Sequence, residues 1–162
     1  MARIDKFNYY LDIAESVAER GTCLRRNYGS VIVKNDEIIS TGYTGAPRGR
    51  QNCVDLGYCI RQKLNIPRGE RYDVCRSVHS EQNAIISAAR KDCIGATLYL
   101  VGKEYETNEY AKNSCCCNIC KRFVINAGIE KVVVRDTKTE YRVINVSDWV
   151  EDDELLRGQL GY

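Results

Sequence analysis

Histidine is almost missing from this chain: its 162 residues contain one, His79. Proline is nearly as rare, with only Pro47 and Pro67 interrupting the backbone, and nothing in the composition supports a split into two domains. No apolar run approaches the roughly 20 residues of a membrane-spanning helix. The start Met1-Ala2-Arg3-Ile4-Asp5-Lys6 lacks the apolar stretch of a signal peptide, so a cytoplasmic location and no membrane partner are expected. An excess of either charge is missing too. The 24 basic and 22 acidic residues leave a net charge of +2, unlike the clustered basic excess of a nucleic-acid binder. Nor does any stripe of basic and stacking aromatic residues suggest a tracked strand, and no DNA or RNA strand is expected as partner. Internal repeats and low-complexity tracts are absent. A single domain over 1–162 is expected, with a core at about 5–135 and a C-terminal extension over 136–162; that length buries a core without disulfide staples.

What the chain does have is cysteine, nine of them. Without a secretory signal these are thiols in a reducing compartment, where metal binding or catalysis is favoured over a disulfide framework.

Residues 5–20 repeat apolar side chains at three- and four-residue steps (Phe7, Tyr10, Leu11, Ile13, Ala14, Val17, Ala18), an amphipathic helix ended by Gly21. The β-branched run Val31-Ile32-Val33, the turn pair Asn35-Asp36 and the rise through Ile38-Ile39 read as a β-hairpin. Residues 44–77 lack periodicity, and so long an irregular stretch inside a compact domain signals function or a metal. A helix is expected over 79–91, burying Ala84, Ile85, Ile86, Ala88 and Ala89. Then follow a strand over 96–101, a polar loop over 102–114 bearing Tyr105 and Tyr110 as a lid, a helix over 117–127 ended by Gly128, and a strand over 131–135. In the tail, Ser147 is expected to cap a short helix holding Trp149 and Val150, followed by the acidic run Glu151-Asp152-Asp153-Glu154. Helix and strand alternating after a hairpin favour parallel pairing in an α/β sandwich, with both later helices starting at one sheet edge.

The chemistry concentrates in His79-Ser80-Glu81 and Cys117-x-x-Cys120. A catalytic zinc takes three nitrogen or sulfur ligands in a tetrahedron and keeps the fourth position open. One neutral imidazole and two thiolates fit that description, and their two negative charges offset the ion's two positive ones. The less acidic site that results makes a carboxylate base useful. Residues two apart on a helix do not share a face, so Glu81 is assigned the proton and not the metal. Both thiols fall in the first turn of a helix, where its partial positive charge favours the thiolate. Taken singly, a lone histidine, a CxxC pair and crowded cysteines each have an ordinary explanation; together they point to one site.

His79-x-Glu81 followed by Cys117-x-x-Cys120 resembles the signature of zinc deaminases acting on nucleobases. Five ordered blocks extend the resemblance to the deoxycytidylate deaminase family of the cytidine deaminase superfamily: Tyr28-Gly29-Ser30-Val31-Ile32-Val33, Gly42-Tyr43-Thr44-Gly45-Ala46-Pro47, Val78 through Ile85, Gly95-Ala96-Thr97-Leu98-Tyr99, and Cys117 through Gly128. The resemblance implies a three-layer α/β/α fold with a mixed sheet, and zinc-dependent hydrolysis of dCMP to dUMP and ammonia. It implies zinc on His79, Cys117 and Cys120, with Glu81 as the catalytic proton carrier and Arg26, Thr44, Gly45 and Ser80 near the substrate. Three positions depart from the family pattern: Ser80 stands for the usual alanine, Cys116 for the proline before the first ligand cysteine, and Thr44 for the usual asparagine. A second, structural zinc on Cys23, Cys53, Cys59 and Cys75 is also implied, against the alternative of free cysteines. A homo-oligomer, possibly a hexamer, and nucleotide effectors complete what the resemblance implies. Arg25, Arg26, Arg48 and Arg50 are candidates for phosphate contacts or simply solvated loop charges. Two other functions remain open: deamination of another cytosine nucleoside or nucleotide or of a tRNA base, and a cysteine-rich zinc-binding interaction module without catalysis.

Overall fold

The computed structural model describes residues 1–152. Its core is a five-stranded mixed sheet in the order β2-β1-β3-β4-β5: β1 (Arg26–Lys34), β2 (Glu37–Tyr43), β3 (Thr97–Glu104), β4 (Lys131–Arg135) and β5 (Tyr141–Asn145). β1 pairs antiparallel with β2 and β3, β3 runs parallel to β4, and β5 closes the far edge antiparallel to β4. The hairpin forms because Asn35 and Asp36 both take left-handed backbone angles, the two-residue turn whose twist matches the flanking strands.

Alternate side chains along the strands divide the core in two. Val31, Val33, Tyr99, Val101 and Val133 face α1 (Lys6–Ala18), together with its Tyr10, Leu11 and Ala14. Ile32, Leu98, Leu100, Val132 and Val134 point the other way, toward α4 (Ser80–Ile86), α6 (Asn118–Ala127) and α7 (Val146–Glu151). Period-two alternation with apolar residues on both sides thus builds the three layers that the resemblance implied.

Several boundaries differ from the sequence reading. The helix expected over 79–91 is broken: α4 stops at Ile86 and a single turn, α5 (Arg90–Cys93), follows. Of its supposed buried stripe only Ala84 is fully buried and Ile86 is exposed, so little apolar burial favours continuing the helix. A strand, β5, occupies part of the extension, and Asn145 rather than Ser147 caps α7. Asp153 and Glu154 of the acidic run lie outside the described residues. α1 ends at Ala18, short of Gly21.

The 102–114 segment is not a lid. β3 continues to Glu104, Lys103 bridges to Tyr110, and the Tyr110 hydroxyl donates to Glu15 of α1 at 2.8 Å. Tyr110 therefore packs against the α1 layer, on the sheet face opposite α4 and α6, while Tyr105 stays exposed. In the irregular stretch only the one-turn helices α2 (Cys53–Leu56) and α3 (Ile60–Lys63) and a 3₁₀ turn at Tyr72–Val74 are regular. Its centre is Arg61, 2% exposed, which donates to the carbonyls of Pro67 and Glu70 and stacks 4.0 Å over Tyr72.

Candidate metal centre

Two helix starts face each other on the α4/α6 side of the sheet. His79 is the N-cap of α4 and Cys117 the N-cap of α6. The approach of α4 depends on Gly42 of β2, where a Cβ would fall 2.3 Å from the Ser80 carbonyl oxygen and 2.4 Å from the Ala84 nitrogen. Ser40 holds the helix from the same strand, donating to the Ala84 carbonyl at 2.7 Å, and Asn83 donates to the Tyr43 carbonyl at 2.8 Å. Gln82 accepts from the His79 backbone at 3.0 Å and so sets the histidine at the helix start. α6 is fixed by burial of Cys120, Val124 and Ala127, and it stops where Gly128 takes a left-handed conformation.

His79 Nδ1 lies 3.4 Å from Cys117 Sγ and 3.2 Å from Cys120 Sγ. Among the described residues these three form the one group of His, Cys, Asp or Glu whose donor atoms all lie within 4.8 Å of one another. Zinc–nitrogen and zinc–sulfur bonds in a tetrahedron place the two donor types roughly 3.5 Å apart. The observed separations and the soft donor set therefore fit zinc. The protonation chemistry agrees. The Cys117 thiol is pulled down to about 4, by its hydrogen bond with Cys120 and then by His79, while Cys120 is pushed up by sharing that bond and by burial. Burial depresses the His79 imidazole, but the Cys117 thiolate outweighs it and raises the group above its usual value. The trio thus holds protons that a metal displaces.

Glu81, 4% exposed, sits in the first turn of α4 beside this trio without joining it. Burial raises its carboxyl above the usual range. Ser80 Oγ donates to Glu81 Oε2 at 3.0 Å, and Ser80 is itself fully buried. Gly45 exchanges backbone hydrogen bonds with Val78, next to His79, at 3.2 and 2.7 Å. Thr44 is buried, with its hydroxyl accepting from the Tyr28 backbone at 3.0 Å. Arg26 is committed elsewhere, ion-paired with Glu104 and 3.4 Å from the Tyr28 hydroxyl. Arg48 and Arg50 are exposed, and Arg50 and Arg76 flank a cleft of about 300 Å³ with Cys75.

Cys23, Cys53, Cys59 and Cys75 come from four separate stretches into electrostatic range. Burial raises the Cys53 and Cys75 thiols, and the neighbouring cysteines raise them further. No three of these sulfurs close to the separation seen in the His79 trio. Cys93 and Cys116 are buried and Cys115 is partly buried. Arg61 was missed by the sequence reading, since nothing in its local pattern separates it from a solvated arginine.

Residues 5–136 match the model of the cytidine and deoxycytidylate deaminase zinc-binding region. A deoxycytidylate deaminase of Mycobacterium phage D29 is 35% identical over 138 residues, covering 82% of this chain and 96% of the phage protein. That of Schizosaccharomyces pombe is 33% identical over 78% of this chain, which spans only 35% of the yeast protein's length. Among solved structures, the dCMP deaminase of cyanophage S-TIM5 in complex with dCMP and dUMP superposes with a TM-score of 0.54 at 22% identity, covering 83% of this chain and 84% of that one. A cytidine deaminase from Burkholderia pseudomallei gives 0.59 at 17% identity, covering 92% and 98%. These structural likenesses concern the fold. No described helix is long and apolar enough to cross a membrane.

Proposed function

Because the chain belongs to the cytidine and deoxycytidylate deaminase zinc-binding family, we propose that it is a single zinc-dependent domain that hydrolyses dCMP to dUMP and ammonia. The observation that carries this reading is the meeting of His79 Nδ1 with the Cys117 and Cys120 sulfurs, beside a buried glutamate that is not one of the three. The names of the phage and yeast relatives supply the substrate.

His79, Cys117 and Cys120 would hold the zinc, which when bound supplies Lewis acidity that lowers the pKa of water at its open position. Glu81 carries the proton. With Oε2 engaged by Ser80, Oε1 takes one proton from the attacking water and passes it to N3 of the cytosine ring, then takes the second proton from the hydroxyl formed at C4 and gives it to the amino group, which departs as ammonia. Burial suits this task, because a carboxyl raised above its usual range holds a proton more readily than an exposed one. The sum is water plus dCMP giving dUMP plus ammonia. Thr44 and Gly45 border the same helix start and are assigned to the substrate's nucleoside part. With Arg26 paired to Glu104, the 5′-phosphate is assigned to Arg48 and Arg50.

The same reading places a second, structural zinc on Cys23, Cys53, Cys59 and Cys75. Support comes from their gathering out of four segments around a stretch with little apolar content of its own. It also takes the enzyme as cytoplasmic, responsive to nucleotide effectors, and a homo-oligomer, hexameric if it follows the family.

Turnover of dCMP, deoxycytidine, dCTP and a tRNA anticodon stem by zinc-loaded protein tests the reading. A strong preference for dCMP is expected. Preference for the nucleoside or the tRNA stem would overturn the substrate, and zinc binding without any turnover would favour a non-catalytic module.

A further inference from the structure

Ser30 and Ser80 are both fully buried, and their hydroxyl oxygens lie 2.7 Å apart. Ser80 has one hydroxyl proton and spends it on Glu81 Oε2. Its oxygen must then accept from Ser30, so the chain runs in one direction, Ser30 to Ser80 to Glu81. Hydrogen bonds aligned head to tail polarise and strengthen one another, and the last acceptor here is a carboxylate. The relay is rooted in the middle of the sheet: Ser30 lies between Gly42 on β2 and Leu100 on β3. Gly42 is the glycine that lets the start of α4 approach.

We propose that Ser30 and Ser80 are positioning residues that lock the Glu81 carboxylate through this relay, leaving its other oxygen directed at the reacting atoms. This deepens the deaminase reading and rests on it. A glutamate side chain has three rotatable bonds, and a proton carrier displaced by about 1 Å loses much of its effect. Ser80 replaces the alanine usual in the family, which has no hydroxyl to give. The Cys116 thiol, at another departure from the pattern, is buried within electrostatic range of Glu81. Two of the chain's unusual residues therefore converge on one carboxylate.

The test uses full-length, zinc-loaded protein with Ser80→Ala, Ser30→Ala and the double variant. For Ser80→Ala, kcat on dCMP is expected to fall about 10- to 100-fold, with KM and zinc content unchanged. Ser30→Ala should give a smaller fall. The double variant should match Ser80→Ala alone, because Ser30 acts only through Ser80. Independently of turnover, the infrared carboxylate band of Glu81, assigned by its loss in Glu81→Gln, should shift in Ser80→Ala. An unchanged kcat and band, a raised KM with kcat kept, loss of zinc, or multiplying effects of the two substitutions would each overturn the relay. If the wild type fails on dCMP, the deaminase reading falls, and the infrared shift still decides whether the relay exists.

Discussion

Glu15 and Glu81 are withdrawn from water on opposite faces of one sheet, and their surroundings push them in opposite directions. Burial works to raise the Glu15 carboxyl, but hydrogen bonds from Tyr110, Lys103 and the fully buried Arg135 outweigh it and hold it below the usual range. At Glu81 burial prevails over the His79 imidazole and the Ser80 hydroxyl, which work to lower the group, and the carboxyl stands above the usual range. The α1 face therefore uses its carboxylate as the anion of an ion-pair network joining α1, β3 and β4. The α4/α6 face keeps a carboxyl whose protonated form burial favours. Partners, more than depth of burial, decide whether a buried acid serves architecture or chemistry.

The sharpest way to break this comparison is to remove the charge from each glutamate in turn. Glu81→Gln should lower kcat on dCMP by about 10²- to 10⁴-fold while zinc content and melting temperature stay near wild type. Glu15→Gln should do the reverse: turnover persists, but stability falls by about 3 kcal/mol in denaturant melts, because Arg135 and Lys103 lose a buried counter-charge. A Glu15→Gln protein that is inactive yet stable would show that the two faces are not separate in role.

Cys53→Ser sharpens a related contrast, between donors carried on helix starts and donors carried on an irregular stretch. It should reduce zinc from two ions per chain to one and make residues 44–77 the first site of limited proteolysis, with deamination reduced far less than by Glu81→Gln. Two zincs retained with no new cleavage would leave these cysteines without a metal. The smallest effect concerns acid. A carboxyl whose folded pKa is lowered adds stability that is present above its unfolded pKa and lost as pH falls through the folded value. Melting temperature should therefore drop as pH goes below about 4.5, the ordinary value for Glu15, and Glu15→Gln should flatten that drop.

The metal trio was legible in the sequence because its donors fall at the start or in the first turn of two periodic segments, the second of them ended by a local signal, Gly128. The hairpin was legible from Asn35-Asp36, and the mixed sheet from element order once the hairpin was placed. β5 escaped because a short edge strand with mostly exposed residues carries little apolar alternation, although the turn-rich run Asp136-Thr137-Lys138-Thr139 before it was a usable signal. The break after Ile86 escaped because alanines and isoleucines continue the helical period even where nothing covers them. Arg135 and Arg61 could not be distinguished from surface arginines. What buries Arg135 is Asn8, Asp12 and Glu15, at the other end of the chain, and what buries Arg61 is a set of loop carbonyls without a sequence signature.

Adjacent thiols offer the most direct trial of the central claim, since Cys117 faces His79 while Cys116 faces Glu81. Zinc content of Cys117→Ser and Cys116→Ser, each measured beside wild type, is the deciding measurement. Loss of one zinc and of deamination in Cys117→Ser, with full zinc in Cys116→Ser, is the predicted result; zinc lost from Cys116→Ser and kept by Cys117→Ser would contradict the site described here.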